Sequence, residues 1–182
     1  MKKIIALTSI ISIFIFASEA SPRSVTTDGL LNSHSQSIAK MIKVIKPKLN
    51  DKKKDELAIH LYNTSKEFKI DPKIMIAIID TESDFDNSKI STTGDLSLAQ
   101  INTEIWNKEL KRMKLPEIDS KKLAKDEKYA LSQMAMILSI LKIRHSIKDK
   151  NWFARYHSHT KKLKKLYSLK VETRMRKLAS IN

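Results

Sequence analysis

Apolar positions recur every three or four residues along most of this chain, and only 2 glycines and 4 prolines interrupt them, so the pattern predicts helix after helix. Gln36 to Ile45 is a first helix, stopped near Pro47. Asp51 to Phe68 is a second, with Leu57, Ile59, Leu61 and Tyr62 partly on one side. A third should run from Pro72 to about Ser83, because Asp71 offers a capping oxygen and Pro72 fits the first turn, where no amide hydrogen is needed. Ile74, Ile78 and Glu82 are four apart and share a side, with Met75 and Ile79 in the adjoining stripe. Almost every side of this helix is apolar, which predicts burial in the middle of the domain. Glu82 then sits where the helix leaves the core.

Residues 86 to 102, DNSKISTTGDLSLAQIN, carry small polar side chains, a glycine and a short alternation, and predict a loop with at most a small hairpin. Thr103 to Met113 returns to helix and ends before Pro116. The longest helix should be Asp126 to about His145, with Leu131, Met134, Leu138 and Leu141 in one inward row and Met136, Ile137, Ile140 and Ile143 in a second. After a break at KDKN come a short WFARYHSH segment and a last basic helix with Leu163, Leu166, Tyr167, Val171, Met175 and Leu178 inward. The expected fold class is mainly α, a single domain of helices around one buried helix.

The N-terminus changes the picture of where the domain starts. Lys2 and Lys3, an apolar run from Ile4 to Phe16, and Ser18 and Ala20 at cleavage positions read as a signal peptide over residues 1 to 20. The run is shorter than the roughly 20 residues that span a bilayer, so no stable membrane anchor is expected. Residues 21 to 35 are polar and expected to be mobile, leaving 36 to 182 as the domain. Cysteine is absent, which excludes a disulfide framework and lipidation of a thiol, and the chain is expected to be periplasmic or secreted. With 35 basic and 20 acidic side chains the net charge is +15. Such a surface attracts polyanions. For an exported chain an anionic wall polymer is more available than nucleic acid, which is not expected as a partner.

Candidate chemistry centres on Glu82. A carboxylate among apolar groups is desolvated, which raises its pKa and lets it hold a proton near neutral pH. Such an acid can protonate the leaving oxygen of a glycosidic bond. A helix-end glutamate facing solvent would have no such role, and periodicity by itself does not distinguish the two.

The surrounding residues do. IDPKIMIAIIDTESDF, followed by Ser91, Gly94 and LAQIN, closely resembles the catalytic core of the SLT-type lytic transglycosylases, in the lysozyme-like superfamily that cuts peptidoglycan. Glu82-Ser83 stands at the family's Glu-Ser, Ser91 falls nine residues on, and Gln100 eighteen residues on, in register with a Gly-x-x-Gly-Leu-Met-Gln segment. Ala154, Tyr156 and His157 stand at its Ala-Tyr-Asn, and Tyr167 and Val171 at its closing Tyr-x-x-x-Val. The likeness spans about residues 52 to 178. It implies a lysozyme-like fold whose central helix ends in the catalytic Glu82. It also implies cleavage of the β-1,4 bond between N-acetylmuramic acid and N-acetylglucosamine in peptidoglycan glycan strands, with 1,6-anhydromuramic ends and no cofactor. Ser91, Gln100, Tyr156 and His157 would bind or border the sugar, while Ser83 and Ser97 support the site.

Four departures bear on specificity: Ser97 replaces the second glycine, Ala99 the methionine, His157 the asparagine, and His159 or a neighbour the closing glycine. A modified, deacetylated wall is one expected substrate. Hydrolysis by water at the same site, as in a muramidase, is the alternative outcome, with Asp84, Asp86 and Asp95 as nearby carboxylates that read more simply as turn or solvated loop residues. A non-catalytic basic wall binder is the second alternative, and an anionic wall polymer or a secretion machine is a further expected contact. His145, His157 and His159 lack an HExxH pattern and a cysteine partner, so no metal site is expected. Trp106 is expected in the core, and Trp152 either in the core or against a sugar.

Overall fold

The computed structural model describes residues 33–158, 160–179 and 181. The expected signal peptide, most of the polar segment after it, and His159 lie outside the described residues. The described residues are mainly helical, with no named strand.

Helix α1, Ser33–Ile45, begins three residues ahead of the expected start, with Ser35 buried and His34 stacked on Tyr62 at 5.5 Å. Helix α2, Asp51–Phe68, follows a cap in which Asn50 Oδ1 accepts from Lys53 N–H, and it ends on a left-handed Lys69. Helix α3, Pro72–Glu82, starts as its sequence predicts, with Asp71 Oδ1 accepting from Lys73 N–H at 2.8 Å. Five consecutive residues, Met75 to Ile79, are buried. Consecutive residues on a helix point in all directions, so α3 must be enclosed on all sides at that level. Helices α1 and α2 provide part of that enclosure, together with α7, Lys161–Ala179.

Helix α4 is Thr103–Arg112, and α5, Ser120–Lys125, is a short helix that the periodicity did not predict. Helix α6, Glu127–His145, packs on α2 and on a 3₁₀ turn at Trp152–Tyr156. Its inward rows hold except at Ile143, which is exposed. A larger correction concerns α7. Tyr167, Val171 and Leu178 are buried, yet Leu163 and Leu166 face solvent together with Leu169.

The segment between α3 and α4 positions the site. The expected hairpin is reduced to two isolated bridges, Ile90 with Leu96 and Leu96 with Ile101. Asp84, Phe85, Gly94, Ser97 and Gln100 all adopt positive φ, which folds the loop tightly over the end of α3. Ser97, at φ 68°, occupies a backbone conformation that suits the glycine of the family pattern, at a cost of about 1 kcal/mol for an L side chain. Its Oγ accepts from Ala99 N–H at 3.3 Å, a local return on that strain.

Candidate active site

Glu82 is the last residue of α3, and its side chain is 13% exposed. Ser83 holds this end in place. Its backbone N–H continues the helical bonding to Ile79 O, and its buried Oγ donates to Leu98 O at 2.7 Å, tying α3 to the loop opposite. Lys89 reaches back to donate to the carbonyl of Glu82, and Lys46 pairs with Asp84 two residues beyond. Both ammonium groups sit at the negative end of the α3 dipole. The acid is therefore anchored through its backbone from two directions.

The carboxylate opens into a cavity of about 510 Å³ whose wall includes Ser91, Asp95, Gln100, Trp106, Tyr156 and His157. All five positions that the sequence nominated for the acid and the sugar thus meet in one place. Their hydrogen bonds, however, differ from those expected. Tyr156 is buried and its hydroxyl donates to Ala99 O at 2.7 Å, so the phenol braces the loop. Burial raises the Tyr156 pKa well above the ordinary value, with the charges of Glu82 and Asp95 adding to it. Gln100 likewise commits Nε2 to Lys89 O and Ser97 O, each at 2.9 Å, which leaves its amide oxygen as the atom it can offer a ligand. Ser97 is buried and lies beneath the cleft rather than in its wall.

Ser91 serves Asp95. Its Oγ donates to Asp95 Oδ2 at 2.7 Å, Thr93 Oγ1 reaches the same oxygen at 2.7 Å, and Asn102 Nδ2 donates to Oδ1 at 2.9 Å. Burial alone would raise the Asp95 pKa, but these hydrogen bonds and the nearby His157 bring it below the usual carboxylate range. Asp95 was expected to be a solvated loop charge, and it is instead an ionised, hydrogen-bonded member of the cleft. The alternation Ser91-x-Thr93-x-Asp95 was the signal available for it, since residues two apart in an extended loop share a side. Of the tryptophans, Trp106 departs from its expected place in the core, and Trp152 takes the core alternative of its two. Trp106 lines the cleft, whereas Trp152 is buried and packs edge-on against Phe153 at 6.2 Å.

His157 is the nearest charged partner of the acid, with Nδ1 3.6 Å from Glu82 Oε1, and its ring stacks on Tyr167 of α7 at 4.7 Å. Tyr167 Oη is buried without a hydrogen bond, close enough to Glu82 that burial first and the carboxylate second raise its pKa well above the ordinary value. The Glu82 carboxylate beside it raises the His157 pKa above the ordinary value, against desolvation and Lys170, while Asp95 adds to the rise. A raised folded-state pKa stabilises the fold fully below the unfolded value, and that contribution is lost as pH rises through the folded value. Replacing His157 by Asn should therefore cost stability at pH 6 but little at pH 9. The ring is half exposed, so the difference should be about 0.5 kcal/mol in paired urea titrations. An equal cost at both pH values would mean that the ring acts by packing alone.

Among the described residues no group of three or more His, Asp or Glu side chains could hold a metal ion. No curated protein matches the chain. The family model for the transglycosylase SLT domain matches residues 61–154, more than half of the chain and a stretch that includes Glu82, Ser91 and Gln100. A buried helix delivering one glutamate to a cleft, closed by a loop in family register, is accompanied by that match, and the chain belongs to the transglycosylase SLT family.

Proposed function

We propose that this chain is an exported lytic transglycosylase that cuts the β-1,4 bond between N-acetylmuramic acid and N-acetylglucosamine, with Glu82 as the only proton-transfer group. Protonated Glu82 donates its proton to the glycosidic oxygen as the bond to C1 of the muramic residue breaks. The N-acetyl group supports the positive charge that develops at C1. The muramic 6-hydroxyl oxygen then bonds to C1, its proton passes to the Glu82 carboxylate, and the 1,6-anhydro ring closes with the acid regenerated. His157 steadies Glu82 in its ionised phase. Trp106 offers a ring face to a sugar, and Lys89, at the cleft rim, suits the carboxylates of the peptide stem.

The observation that carries this reading is the state of the second carboxylate. A hydrolase of the usual two-carboxylate kind needs a base to activate water or a nucleophile to attack C1. Asp95 shares the cleft, but hydrogen bonds from Ser91, Thr93 and Asn102 occupy both of its oxygens and weaken it as a base. That leaves Glu82 to take the second proton and the substrate's own hydroxyl to bond to C1. Mass spectrometry of muropeptides released from purified sacculi tests the choice. The products should be one water lighter than the hydrolysed forms. Reducing ends in their place would establish hydrolysis and return Asp95 to the mechanism.

A further inference from the structure

The solvent face of α7 is not what a helix docked on a core should present. Leu163 is 47% exposed, and Leu166 and Leu169 are each 51% exposed. Lys161, Lys162, Lys165 and Lys170 surround them, all exposed, and the only acid on α7 is Glu172. Tyr167, between the two outward leucines in sequence, turns the other way and stacks on His157. At 100° per residue, Leu166 and Leu169 lie 60° apart, with Lys162 between them around the helix and Lys165 at one edge. The core-packing function of the helix thus falls to Tyr167, Val171 and Leu178, and the leucine and lysine face is left over.

We propose that this face of α7 is a docking surface for a bilayer rich in anionic phospholipid, with Leu166 and Leu169 entering the headgroup boundary and the surrounding lysines meeting lipid phosphates. Charge selects the occupant. A second copy of this chain would set lysines against lysines on a protein of net charge +15, and a polysaccharide or wall polymer would satisfy the lysines but give the leucines nothing apolar to enter. An anionic bilayer matches both components, since basic side chains are attracted by the surface potential and apolar ones bury at the boundary. No helix among the described residues is long and apolar enough to cross a membrane, so the contact is peripheral. Docked in this way, the molecule keeps Tyr167 and the His157 ring stacked on it off the lipid, since Tyr167 is buried against the core. The inference does not depend on whether Glu82 cleaves glycan.

The absence of cysteine makes the test direct. Full-length Leu166→Cys, Leu169→Cys and Ile147→Cys proteins carry an environment-sensitive NBD label, the last at a site 93% exposed as a control. They are mixed with phosphatidylcholine vesicles, with mixed phosphatidylglycerol–phosphatidylcholine vesicles, and with soluble polyphosphate. Emission at 166 and 169 should shift to the blue and brighten several-fold with the anionic vesicles alone, and the control should not change. Lys162→Gln and Lys165→Gln should each weaken vesicle partitioning about fivefold. Sedimentation with vesicles without a shift at 166 and 169 would assign the attachment to another segment, such as the apolar run from Ile4 to Phe16, and overturn the proposal. Equal shifts at 147, or capture by polyphosphate with no response to vesicles, would overturn it too, by showing adsorption through charge alone.

Discussion

Glu82→Gln is expected to lower the turnover of purified peptidoglycan by about 10³- to 10⁴-fold, at the upper end of what one positioned proton-transfer group supplies. The upper end applies because the same side chain acts twice, first as the acid that releases the leaving sugar and then as the base that closes the ring. Glutamine keeps the shape of the side chain and an oxygen toward His157, and the anchors of this helix end, Ser83 to Leu98 O and Lys89 to Glu82 O, involve no carboxylate oxygen. Glycan binding and thermal stability should therefore survive. The combination of retained binding and lost release, measured by sedimentation with sacculi and by muropeptide chromatography, separates an enzyme from a basic wall binder. Residual turnover within tenfold of the parent would move the chemistry away from Glu82.

The second large effect concerns the helix that carries the acid. Ile78 is fully buried one turn before Glu82, on the same side of α3, and Ile78→Ala should destabilise the fold by about 3 kcal/mol through lost burial and the cavity left behind. For a domain of this size that lowers the melting temperature by about 6–12 °C, a shift readily followed by circular dichroism. Ile143→Ala supplies the contrast. The same chemical deletion at a half-exposed position should cost under about 1 kcal/mol, because little area is uncovered and no cavity forms. Comparable losses at the two sites would contradict the enclosure of α3.

These two isoleucines also mark what was legible in the sequence. Around Ile78 the pattern was decisive, since a run apolar on all sides between an Asp-Pro start and a polar loop has few interpretations other than an enclosed helix. Ile143 sits in the last turn of α6, where its side chain is exposed and the same spacing no longer means burial. In α7 the spacing of Leu163, Leu166 and Tyr167 admits two phases, and only packing against α3 and the 3₁₀ turn chooses the one that turns the leucines outward. Helix α5 was missed because six residues span less than two turns, too few for a period to register, and its start relies on Asp119 accepting from two backbone amides. Ser91, Gln100, Tyr156 and His157 were named through the family resemblance, whereas Asp95 and Trp106, which share the cleft, were not. The bonds of Tyr156 and Ser91 were not legible, because the acceptor of one is a loop carbonyl from a distant part of the chain and the acceptor of the other is a carboxylate whose fate depends on three neighbours.

Glu82 and the ring that pairs with it, His157, are far apart in sequence, and the helix that backs that ring follows both. Arg174 of that final helix also clasps Asp80, two residues before the acid, at 2.5 Å. The parts of the reaction centre are therefore far apart in the order of synthesis, and folding must wait for contacts of long sequence separation. A chain clipped ahead of Tyr167 keeps Glu82 and His157 but loses the ring that stacks on His157 and the arginine that clasps Asp80.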